Sequence, residues 1–131
     1  IKIALISIND SHGEYFHKPF FKEDHHNVLQ LWFDDIEHEG ETSPTNSEKC
    51  KPFSNKDAKQ ILNFLKANKT VNTLIIHCAG GISRSGAVGK FALNYLNGDR
   101  ERFKIDNGHI NPNGRVLRML NEEERNEKKY R

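Results

Sequence analysis

Apolar residues fall along this chain in two patterns: short unbroken runs and stripes at helical spacing. Residues 3–8, Ile-Ala-Leu-Ile-Ser-Ile, form a β-branched run too short for a helix, which predicts a buried strand. Asn9, Asp10, Ser11, His12 and Gly13 end it with turn formers, and the polar residues 14–27 read as loop. Residues 28–33, Val-Leu-Gln-Leu-Trp-Phe, predict a second strand, closed by Asp34-Asp35. A long polar stretch to Pro52 has loop composition. Ser54-Asn55-Lys56-Asp57 then resembles a capping box, and Ala58, Ile61, Leu62 and Leu65 lay one apolar face along the helix it opens. Residues 71–78, containing Leu74-Ile75-Ile76-His77-Cys78, give the clearest strand. From about Arg84 a helix follows, whose Ala87, Val88, Phe91, Ala92, Tyr95 and Leu96 form a broad buried face. Asn97-Gly98 stops it. Residues 99–111 read as loop. A last helix is expected from Pro112, with Val116, Leu117 and Leu120 inward, and residues 122–131 as a charged, solvated or frayed tail.

Strands alternating with helices predict an α/β fold. The expectation is a single domain over residues 1–131, with a short, mainly parallel sheet flanked by helices. Ligands in such sheets bind beyond the carboxyl ends of the strands, where Cys78 and Asp34-Asp35 both lie. With 35% apolar and 29% charged residues, the chain is polar but still of globular balance. Its formal net charge of +2 gives no general pull toward nucleic acid or a membrane surface, so any affinity for phosphate must be local. No apolar run approaches the roughly 18 residues that span a bilayer. Cys50 and Cys78 do not make a disulfide scaffold, which suits a reducing, cytoplasmic setting.

The chemistry concentrates in His77-Cys78-Ala79-Gly80-Gly81-Ile82-Ser83-Arg84-Ser85. Five residues between Cys78 and Arg84 suffice for a tight loop whose backbone N–H groups converge on an anion, with a helix N-terminus behind them. Gly80 and Gly81 permit backbone angles that other residues resist. Arg84 can fold back and hold two phosphate oxygens with its planar fork. The same field favours the thiolate of Cys78, a nucleophile toward phosphorus. Ser85 can donate to the sulfur, and His77 can brace the loop.

This segment resembles the H-C-x-x-G-x-x-R-S/T signature of protein tyrosine and dual-specificity phosphatases, with Gly81 as the signature glycine. The chain is also similar to small phosphatase-like proteins of bacteria and phages in Phe33-Asp34-Asp35-Ile36, in Gly81 to Ser85, and in Pro112-Asn113 before Val116 and Leu120. The resemblance implies two-step hydrolysis of a phosphate monoester through a phosphocysteine, without cofactor or metal. Cys78 is then the nucleophile and residues 79–84 the phosphate cradle. It also implies an aspartate as general acid. Asp35 is preferred over Asp34, which directly follows the strand; Asp57 is a weaker rival with a cap to form. The spacing of 43 residues from Asp35 to Cys78 is longer than the family pattern.

A phosphorylated protein or a small phosphate monoester is the expected partner. Nucleotide, RNA or inositol phosphates rank lower, because residues 79–83 contain no basic side chain. A phosphate-binding module without turnover, and a sulfurtransferase, are the other readings; Ser85 and Gly81 argue against the latter. His25-His26 with His12, His17 and His38 match no familiar zinc spacing and read as solvated loop. Cys50 reads as an ordinary loop cysteine.

Overall fold

The computed structural model describes residues 2–12, 21, 23, 25–38, 40 and 50–129. The expected loops over 14–27 and up to Pro52 therefore fall largely outside the described residues, as do His17 and Arg131. Seven elements follow in chain order: β1 (Ile3–Asn9), β2 (Val28–Trp32), α1 (Asn55–Ala67), β3 (Thr73–His77), α2 (Arg84–Tyr95), α3 (Arg100–Asp106) and α4 (Gly114–Lys129). The three strands form one parallel sheet in the order β2-β1-β3. Ile6 of β1 lies opposite Leu29 on one side and Ile76 on the other.

The middle position of β1 explains its unbroken apolar run. Ala4, Ile6 and Ile8 are fully covered, and pack with Leu31 and Phe33 against the apolar faces of α1, α2 and α4. On the other face the sheet is less covered, with Ile3 of β1 and Ile75 of β3 nearly half exposed. Phe33 meets Phe53 edge to face at 4.9 Å between ring centroids. The α1 cap forms as a full box: Ser54 Oγ accepts from the Asp57 N–H, and Asp57 accepts from the Ser54 N–H. Asp57 is buried in that task. At the end of α2, Asn97 takes a left-handed φ of 54°.

Two expectations need correction. Residues 99–111 are not all loop, because Arg100–Asp106 forms α3. That helix buries none of its side chains, so no apolar stripe marks it in the sequence; it is held by the Asp99 cap on the Arg102 N–H and an Arg102–Asp106 ion pair. The charged end is also not a frayed tail, since α4 runs through Lys129. Lys66 pairs with Glu127 across to α1, and Arg118–Glu122 and Glu124–Lys128 lie at helical spacing. No helix among the described residues is long and apolar enough to cross a membrane.

Candidate active site

Parallel pairing brings the carboxyl ends of all three strands to one edge. Asp10 follows β1, Phe33 to Asp35 follow β2, and Cys78 follows β3. Arg84, the first residue of α2, ties them together. Its Nη1 donates to the Phe33 carbonyl at 2.9 Å and lies 2.7 Å from Asp10 Oδ1. The side chain is only 5% exposed. Its Nε is buried and has no acceptor among the described residues. A buried donor left unmade costs about 1–3 kcal/mol, which is why such groups are rare away from ligand sites.

The loop from Cys78 to Arg84 joins β3 to α2. Gly81 adopts a φ of +66°, where a side chain would be strained, whereas Gly80 does not need its freedom. Ser83 stands at the N-cap of α2 but makes no capping bond with its side chain. The first turn of α2 therefore has no side-chain cap from Ser83. One of its N–H groups, that of Ser85, points at Cys78 Sγ at 3.5 Å, and Ser85 Oγ lies 3.2 Å from the same sulfur. Burial pushes the Cys78 thiol up. Hydrogen bonds from the Ser85 hydroxyl, the Ser85 N–H and the Gly81 N–H, with the Arg84 charge, outweigh that and hold it below its ordinary value near 9. Ala79, Gly80 and Ile82 are exposed at the rim.

The two aspartates have separate surroundings. Asp34 is buried and accepts from the Ser11 N–H at 2.9 Å, the Ser11 hydroxyl, and the Lys51 N–H at 2.6 Å. Burial raises its carboxyl pKa, but these bonds and nearby His12 take it below the usual carboxylate value. Asp35 is exposed beside the loop. Its Oδ1 accepts from Ser83 Oγ and from Asn113 Nδ2, each at 2.8 Å. Asn113 is 3% exposed; it also donates to the Ile36 carbonyl, and its own oxygen accepts from the Val116 N–H at the start of α4.

The loop is braced from outside by the segment before α4. The Asn111 and Asn113 N–H groups donate to the Ile82 and Ser83 carbonyls, and His109 Nε2 lies 3.1 Å from the Gly81 carbonyl. The bracing expected of His77 is carried out by His109: His77 is exposed, and its ring makes no hydrogen bond among the described residues. A polar cleft of about 270 Å³ opens at Asp35, Ser83 and Asn113. Behind the loop, between β3, α2 and α3, lies an apolar cavity of about 400 Å³ that reaches Gly81 and Ser85. Asp10, His109 and Asn113 are the site residues that residue-by-residue reading missed. Asp10 carried a signal in its place at a strand's carboxyl end; His109 carried none. Asn113 was noticed only as part of a resemblance. No family model and no curated protein matches the chain.

Proposed function

We propose that this protein is a cysteine-dependent phosphatase, hydrolysing phosphate monoesters, phosphotyrosine or mixed phosphoprotein sites foremost, through a phosphocysteine. The observation that carries the reading is the environment of Cys78. A thiol whose pKa is held below its ordinary value by hydrogen bonds from the first turn of a helix sits one loop away from an arginine with an unused buried donor. Sulfur, N–H groups and guanidinium are the set a phosphoryl group requires.

In the first step the Cys78 thiolate attacks phosphorus, the S–P bond forms and the P–O bond to the leaving group breaks. The N–H groups of the loop and the free Nε edge of Arg84 take up the charge on the equatorial oxygens. Its Nη1 stays pinned by Asp10 and the Phe33 carbonyl, which fixes the plane of the fork. Asp35, carrying a proton, gives it to the departing oxygen. In the second step Asp35, now a carboxylate, takes a proton from water as that water attacks phosphorus. The S–P bond breaks, and the Ser85 hydroxyl donates to the departing sulfur. Asp34 has no part in these transfers: it is buried, and its carboxylate is held by Ser11 and Lys51.

The test is hydrolysis of p-nitrophenyl phosphate in EDTA and reductant by the full chain and by Cys78→Ser. Turnover that disappears in the variant supports the reading. A folded wild type that binds vanadate without turnover contradicts it and favours a phosphate-binding module.

A further inference from the structure

Outside the Cys78 site, the fold gathers a second set of reactive side chains. We propose that His12, Asp34 and Cys50 form a zinc site that fastens the segment before α1 to the ends of β1 and β2. One donor atom of each residue lies within 4.8 Å of the other two. His12 Nδ1 and Asp34 Oδ2 are 3.6 Å apart. Zinc–ligand distances of about 2.0–2.3 Å place tetrahedral ligand atoms roughly 3.3–3.8 Å from one another, so closing the trio takes side-chain movement of about 1 Å.

The donor types select the metal. A nitrogen, a sulfur and a carboxylate oxygen suit zinc, whereas magnesium and calcium ask for oxygen alone. Asp34 is buried and His12 and Cys50 are half-buried, so the site is partly shielded from water. Supporting contacts are already in place. The Ser11 and Lys51 N–H groups orient the carboxylate, while the Ser11 hydroxyl, bonded to Asp34 and 2.9 Å from His12 Nδ1, yields its place on that nitrogen to the metal. Such outer contacts fix ligands before the metal arrives. Binding forms a Zn–S bond and releases the Cys50 thiol proton to solvent; no oxidant or reductant is involved. A fourth position remains for water. The spacings of 22 and 16 residues between the ligands match no local zinc motif, so only folding brings the trio together.

The site stands apart from the phosphatase reading: none of its three ligands takes part in the steps proposed there. The experiment titrates zinc sulfate into the reduced full chain and into Cys78→Ser, Cys50→Ser and His12→Ala, followed by desalting and elemental analysis. Wild type and Cys78→Ser are expected to keep about one zinc per chain, and Cys50→Ser and His12→Ala to bind at least about tenfold more weakly. In Cys78→Ser the sole remaining thiol is Cys50, and the trio is intact. There zinc should slow iodoacetamide alkylation and a chelator should restore it. Wild type without zinc, equal retention by the Cys50 and His12 variants, or alkylation indifferent to zinc would each overturn the proposal.

Discussion

Asp34 and Asp35 are neighbours in the chain and opposites in their surroundings. Asp34 faces inward, its carboxylate held by Ser11 and the Lys51 backbone. Asp35 faces out over the cysteine loop, with one oxygen held by Ser83 and Asn113. One carboxylate holds chain segments together, while the other is exposed beside the loop, as the proposed general acid requires. The contrast shows how a pair of like residues after a strand divides its labour: the chain turns at Asp35, where the Ile36 N–H donates to the Asp34 carbonyl, and the two side chains part there.

The sharpest way to break this contrast is to remove each charge in turn. Asp35→Asn should lower kcat about 10²–10⁴-fold for an alkyl phosphate, whose poor leaving group needs a proton, and far less for an activated aryl phosphate. Asp34→Asn should show no dependence on the leaving group. Should the two variants exchange behaviours, the assignment is wrong. Asn113→Ala should reproduce the Asp35→Asn pattern more weakly, up to about 10²-fold in kcat, because it releases Asp35 without removing its carboxyl. Equal losses on both substrates would make Asn113 merely structural.

On stability the order reverses. Asp34→Asn should cost about 2–3 kcal/mol in urea unfolding, as one carboxylate oxygen becomes an NH2 that cannot accept from the backbone N–H facing it. Because its folded pKa lies below the ordinary 3.8, Asp34 contributes stability that is full above that pH and fades as pH falls through the lowered value. Acid unfolding of Asp34→Asn should lose that component, whereas Asp35→Asn should keep it.

The smallest effect sharpens the comparison at the sulfur. The pH midpoint for alkylation of Cys78 should lie below the ordinary 9, and Ser85→Ala should move it upward by removing the hydroxyl that offsets burial. A midpoint unchanged by Ser85→Ala would show that the hydroxyl does not hold the thiolate.

How much of this was legible in the sequence follows from what each residue depends on. The strands, α1 and α2 are written in local periodicity, and the Ser54 cap in four consecutive residues. The cysteine loop is local too, so its strand-loop-helix setting could be read directly. α3 escaped because a helix that buries nothing has no stripe, and the end of α4 because its support comes from ion pairs rather than apolar spacing. Asp10, His109 and Asn113 reach the loop from 68, 31 and 35 residues away from Cys78. Their parts depend on sheet order and on the path of the chain before α4, which periodicity does not encode. Asp34 and Asp35 were separable only as a preference, since the choice rests on which side Ser11, Lys51 and Asn113 occupy.

The most direct measurement is to trap the covalent intermediate. Asp35→Asn, mixed with an activated aryl phosphate and quenched in acid, should carry phosphate on the peptide containing Cys78, located by mass spectrometry. The variant can form the S–P bond without proton donation but hydrolyses it slowly. The account predicts accumulated phosphocysteine at Cys78, absent from Cys78→Ser. Turnover with no phosphate on Cys78, or label that persists in Cys78→Ser, would contradict it.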